Sequence, residues 1–167
     1  MVLIRILNPV DAPQFREERL ESLRGADADF FTASREEEEA RQAESWNKIC
    51  TQSSERVFVG AFLEDRLVGF SGARLWEQDG AGMTVYWGPT YVTSAHRQCG
   101  VMSSLYDARL EWSRRHGYCK AYFVIRKGNT TSFDFYVERH AECCGGEPRM
   151  FGGNLVAAWH CIRCLAD

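Results

Sequence analysis

The sequence predicts an α/β (α+β) fold: one domain over residues 1–167, with a mixed central sheet of about six to seven strands flanked by about four helices. Three observations carry this reading. A chain of 167 residues, 45% apolar and 13% aromatic, can bury one real core and is too short for two ordinary ones. Short β-prone runs alternate with capped segments of helical period. The stretch Tyr91–Leu105 reads as a strand running into a turn, and the turn opens a long amphipathic helix.

The elements follow in order. Leu3 to Leu7 is a short opening strand. Asp11 looks like an N-cap, with Pro13 in the first turn and Gln14 three positions on, and Gly25 ends that helix. Ser34 and Glu37 form a capping box that opens a second helix to about Cys50. Val57–Phe62 and Leu67–Leu75, joined through Glu64-Asp-Arg66, read as an antiparallel hairpin. Met83–Val92 is the next strand, and Gly88-Pro89 within it predicts a bulge or a place where neighbouring strands part. Val101, Leu105, Ala108 and Trp112 then fall on one face of a helix that Gly117 terminates. Ala121–Ile125 is a buried-strand run. A shorter helix runs from Thr130 to about His140, and a strand ending at Leu165 closes the chain.

A net charge of −3 argues against a general binder of nucleic acid or anionic membrane, since those rely on clustered cations, and leaves room for a cationic substrate. The acidic run Glu36–Glu39 reads either as a lip that attracts amines or as a solvated face that suits the helix dipole. No apolar run reaches the length of a bilayer span, and Met1–Leu7 is too quickly charged for a signal peptide. Seven cysteines without framework spacing favour a reduced, cytoplasmic setting. Cys161 and Cys164, with Cys143, Cys144 and His160 upstream, could be read as a zinc site. In a strand, however, residues three apart face opposite sides, so the expectation is no metal.

The turn after Val92 carries the chemistry. Arg97 offers a cation, Gly100 an unobstructed backbone, and the helix start unpaired N–H groups at the positive end of the macrodipole. The spacing Arg97-x-x-Gly100-x-Met102 resembles the phosphate-loop signature of the GNAT N-acetyltransferase family. Asp11-Ala12, Asp29-Phe30-Phe31, Ser34–Glu39, Trp46, Leu67-Val-Gly69 and the set Asn129, Ser132, Tyr136 extend the resemblance over roughly residues 3 to 165.

The resemblance implies acetyl-CoA as cosubstrate, lying where the Met83–Val92 and Ala121–Ile125 strands diverge. Backbone near Tyr91 and Val92 would face the pantetheine arm. The pyrophosphate would meet Gln98, Cys99, Gly100, Val101 and Met102, with Arg97 adding charge or serving only in a surface salt bridge. Asn129 would bond the cofactor or cap its helix. Tyr136 would protonate the leaving thiolate or pack in the core. The partner would be an amine acceptor attacking directly in a ternary complex, and a homodimer is compatible with the family. Four features depart from the pattern, one of them Ser94 in place of a common Pro. Met102 stands where Gly or Ala is usual, Gln98 replaces a frequent Gly, and the Met83–Val92 strand lacks a carboxylate. Glu77, acting through water, is the base candidate, with Asp79 and Tyr86 behind it. The alternative function is a non-catalytic acyl-CoA-binding sensing or interaction module.

Overall fold

In a computed structural model, which describes residues 1–166, seven strands form one sheet in the order β1-β2-β3-β4-β5-β9-β6. They are β1 (Leu3–Ile6), β2 (Arg56–Leu63), β3 (Arg66–Leu75), β4 (Thr84–Val92), β5 (Lys120–Arg126), β6 (Glu142–Gly145) and β9 (Ala158–Cys164). Strands β7 (Arg149–Phe151) and β8 (Asn154–Val156) make a separate two-stranded ribbon. The helices are α1 (Ala12–Ser22), α2 (Arg35–Glu39), α3 (Ala43–Ile49), α4 (Val101–Arg115) and α5 (Thr130–Val137). Among the described residues only β4 and β5 run parallel, and every other ladder is antiparallel.

The sheet buries both faces, each against its own helices. On one face Val57, Val59, Val68 and Val85 pack with Val101, Leu105 and Trp112 of α4 and Tyr136 of α5. On the other, Phe62 and Phe70 pack with Ala12 and Phe15 of α1 and Trp46 of α3. The alternation along β2 and β3 directs successive side chains to these two cores.

Four expectations change in detail. Asp11 does not cap α1. A 3-10 turn (Pro9–Asp11) precedes the helix, and Asn8 caps that turn in a capping box with Asp11. Asp11 is instead ion-paired to Arg5 at 2.7 Å, and the hydrogen bond from that guanidinium holds its carboxyl below the usual range. The Ser34–Glu37 capping box is present, but the helix it opens stops at Glu39 and restarts at Ala43, with Gln42 extended between. The apolar stripe of α4 includes Ala108, which packs against the core, but also Arg109, fully buried, which the spacing did not suggest. The closing strand is divided. Gly152 and Gly153, both at positive φ, turn the β7–β8 ribbon, and β6 returns beside β9. Strands of three or four residues between glycines leave little periodic signal.

Cys143 and Cys161 face each other in the β6–β9 register and are joined by a disulfide, where the sequence reading expects free thiols. Cys161 is buried and Cys164 is exposed, so the C-x-x-C pair straddles the sheet. Among the described residues no group of three or more His, Cys, Asp or Glu could hold a metal ion. A strong chelator is therefore expected to leave the melting temperature unchanged. Unfolding on removal of a stoichiometric zinc would contradict this. No helix among the described residues is long and apolar enough to cross a membrane.

Candidate functional site

The site begins where β4 leaves β5. The two strands pair only at Thr84–Lys120, Val85–Ala121 and Tyr86–Tyr122. Beyond Tyr86, β4 carries an extra residue relative to β3, because Ser71 pairs with Thr90 while Ala73 pairs with Trp87. The bulge falls on Gly88-Pro89, a cis peptide, and Gly88 has φ 142°, a conformation that favours glycine. The facing edges of β4 and β5 are thus left without ladder partners, which opens a gap in the middle of the sheet.

Arg109 spans the floor of this gap. Its Nη1 donates to Thr90 Oγ1 on β4 at 3.0 Å, and Nη2 donates to the Tyr136 hydroxyl on α5 at 2.9 Å. Thr90 Oγ1 also lies 2.9 Å from Ser71 Oγ. The guanidinium sits 4.3 Å from the Trp87 ring centroid, and the Tyr136 ring packs 4.4 Å from Phe123 of β5. Arg109 is ion-paired to no carboxylate among the described residues, and its Nε has no hydrogen-bond partner. A buried cation held only by hydroxyls and aromatic faces is costly. Sequence reasoning missed Arg109, Thr90 and Ser71. The available signal was a charged residue four positions after Leu105 on an apolar stripe.

At the far end of β4 the chain turns into α4. Gln98 (φ 61°) and Gly100 (φ 79°) are both left-handed, and no side chain caps the helix. The first intrahelical bond to Gly100 is made by Ser104 N, so the N–H groups of Val101, Met102 and Ser103 point outward without helical partners. A Cβ placed on Gly100 meets nothing within 4 Å. The start of a 15-residue helix with free N–H groups and open space before it fits a phosphate group.

The surrounding residues divide. Arg97 is committed: Nε donates to Val92 O at 2.9 Å and Nη2 pairs with Asp27 at 2.6 Å, the hydrogen bond that raises its pKa. Arg97 thus makes the surface salt bridge that is one of its two readings. Tyr91 is buried beside Phe70, with its hydroxyl pKa raised by burial, so only its backbone can serve the gap. Cys99 is exposed, its Sγ 3.4 Å from Arg97 O. Met102 packs against the core beneath α4 rather than over the turn. Met102→Ala is accordingly expected to cost stability, about 2–5 kcal/mol if Met102 behaves as a core residue, without tightening coenzyme A binding. Tighter binding with unchanged melting temperature would show that it obstructs the turn. Asn129 caps α5, its Oδ1 accepting from Ser132 N at 3.2 Å.

On the α1–α3 face, a cavity of about 190 Å³ opens against Gly88 and Pro89. Arg19, Glu38, Arg41, Arg56 and Arg74 line it. Most of the acidic run Glu36–Glu39 is engaged within the protein. Glu38 is buried between Arg19 and Arg41, Glu37 closes the capping box, and Glu39 pairs with Arg35. Glu77 is exposed in the β3–β4 loop, at the paired end of β4 and away from this cavity. Asp79 accepts from Ala81 N and Met83 N, and its carboxyl is held below the usual range chiefly by a hydrogen bond from Thr84. Tyr86 is stacked 5.3 Å from Trp76, and burial raises its pKa. A wider hollow of about 360 Å³ over the β2–β3 turn, lined by Glu17, Glu18, Glu64 and Asp65, contains none of the gap residues.

Comparison with known proteins agrees with this fold. Residues 20–141 match the model of the acetyltransferase (GNAT) family. A GNAT-family acetyltransferase of Streptococcus pneumoniae superposes with TM-score 0.85 at 14% identity, covering 99% of this chain and 100% of that one. The Salmonella typhimurium protein yncA, solved with its cofactor acetyl-CoA, gives TM-score 0.81 at 17% identity, covering 100% and 95%. The PaiA N-acetyltransferase of Thermoplasma acidophilum, solved with coenzyme A, gives TM-score 0.74 at 16% identity, covering 98% and 99%. No curated protein sequence gives a significant match.

Proposed function

We propose that this chain, which belongs to the acetyltransferase (GNAT) family, is an acetyl-CoA-dependent N-acetyltransferase built as one domain over residues 1–167. It moves the acetyl group to a primary amine by direct attack in a ternary complex. The observation that carries this is the gap between β4 and β5, with free N–H groups of α4 at one end and the Tyr136 hydroxyl on its floor. Acetyl-CoA supplies an activated acetyl thioester.

The chain supplies position and proton. Backbone of Gln98–Met102 holds the pyrophosphate, and the unpaired edge of β4 through Tyr91 and Val92 aligns the pantetheine arm. An N–H on that edge stabilises charge developing on the carbonyl oxygen, an effect of roughly 3 kcal/mol in comparable sites. Tyr136 donates its proton to the departing sulfur, and the proton shed by the attacking nitrogen restores the Tyr136 hydroxyl. Arg109 acts through Tyr136: by donating to the hydroxyl oxygen it leaves the O–H free to point into the gap, and it faces the phenolate left behind. Asn129 keeps Nδ2 as a donor for the cofactor.

No carboxylate serves as base in this account. Glu38 is doubly ion-paired and Glu77 lies outside the cavity. The amine enters in its neutral form, so kcat/KM should climb with pH up to the acceptor's own amine pKa. A plateau well below that value would require a base this account lacks.

Binding is tested apart from turnover. At a hundredfold excess over Kd, acetyl-CoA should stabilise the fold by roughly 2.7 kcal/mol, seen as a raised melting temperature. Dephosphorylated pantetheine should do much less. Equal shifts from both ligands would remove the α4 turn as the phosphate site.

A further inference from the structure

The cavity beside Gly88-Pro89 has a charge pattern that the transfer reaction alone does not require. Arg56 of β2 and Arg74 of β3 are direct cross-strand partners, so both side chains stand on the same face and both line the cavity. Like charges directly opposite on adjacent strands are destabilising. Neither arginine has a carboxylate partner among the described residues. Arg56 Nε is buried with no hydrogen-bond partner, and Arg74 rests 4.9 Å over the Tyr86 ring. Glu38, the one acid lining the cavity, is saturated by Arg19 and Arg41.

Position matters as much as charge. Arg74 pairs with Tyr86, and Gly88 lies two residues further along β4 on the same face. That places the Arg74 backbone roughly 8 Å from Gly88, one strand spacing across and two residues along, a span a guanidinium side chain can largely cover. Gly72, between the two, carries no side chain where a Cβ would meet Phe58 and Gly88 O. The cavity beside Gly88 is therefore edged by two arginines without carboxylate partners among the described residues, Arg56 half-buried and Arg74 exposed.

Resting on the function proposed above, we propose that the acceptor is an amine bearing a carboxylate a few bonds away, namely a free amino acid, whose carboxylate is held by Arg56 and Arg74. The carboxylate supplies the charge the arginine pair lacks, and bidentate Arg–carboxylate contacts orient the amine toward the gap. At about 190 Å³ the cavity is on the scale of one amino acid rather than a longer chain.

The test titrates the coenzyme A-loaded protein by calorimetry with the common L-amino acids, their carboxamides, and spermidine. At least one amino acid should bind tenfold or more tightly than its own amide and than spermidine. Arg56→Gln and Arg74→Gln should each erase that preference while the melting temperature holds or rises, because a like-charge pair is relieved. Amides or spermidine binding as well as every acid would overturn the proposal, as would no amino acid binding or variants that keep the preference. Thiol release from acetyl-CoA is followed in parallel with the same panel. Charge-selective binding without release would contradict the transferase reading and leave the carboxylate site standing. Release with amides as good as acids would do the reverse.

Discussion

Tyr136→Phe is expected to lower kcat about a hundredfold or more while leaving the Kd of acetyl-CoA nearly unchanged, since only the proton destined for the leaving sulfur is removed. The same substitution has a structural signature. It takes the acceptor from Arg109 Nη2 inside a fully buried site, and an unmet buried donor costs about 1–3 kcal/mol, more when charged. The variant should therefore melt earlier than the parent, although it differs by a single oxygen. Single-turnover measurement of thiol release decides the catalytic part. An unchanged rate, with chemistry limiting, would reduce Tyr136 to a packing residue.

Arg109→Met should separate activity from stability in the opposite sense. The guanidinium is buried without a carboxylate, and replacing such a cation by an apolar side chain of similar shape is often neutral or stabilising. Thr90 and Ser71 keep their mutual hydrogen bond, and Met sits well against the Trp87 ring. The melting temperature should hold or rise. Yet kcat should fall by about ten- to a hundredfold, the worth of one charge-assisted hydrogen bond of roughly 1.5–3 kcal/mol to the group that gives up the proton. In the Tyr136→Phe background the same change should cost kcat little further, because Arg109 acts through that hydroxyl. Additive losses in the double variant would assign Arg109 an independent role. An unaltered kcat in Arg109→Met would make it a structural residue only.

These two residues show where the sequence was legible. Tyr136 was marked only by the family pattern that Asn129, Ser132 and Tyr136 resemble, whereas the gap was marked by Gly88-Pro89 in an otherwise β-prone run, because glycine and proline act through local backbone rules. Gly100 was legible as an unobstructed turn, while the left-handed conformation at Gln98 was not, because context imposes there a conformation the residue does not prefer. Arg97 was ambiguous because its partner, Asp27, lies seventy positions away. Asn8 was passed over because Asp11 offers an equally good local cap, and it is the ion pair with Arg5 and the capping box with Asn8 that engage its carboxylate instead. Arg109, and the opposition of Arg56 to Arg74, depend on register and helix rotation, which no local motif encodes. The disulfide likewise follows from β6 lying against β9, a pairing hidden by two short, glycine-flanked strands.

The central claim is that this gap transfers an acetyl group rather than merely holding its carrier. The most direct measurement is acceptor-dependent release of free thiol from acetyl-CoA, with binding of acetyl-CoA established on the same preparation. The account predicts release that requires a primary amine, yields one acetylated amine per thiol, and is suppressed in Tyr136→Phe while binding persists. Tight binding of acetyl-CoA with no release above the blank across amino acids, amides, polyamines and peptides would contradict it and leave the chain an acyl-CoA-binding module on the same fold.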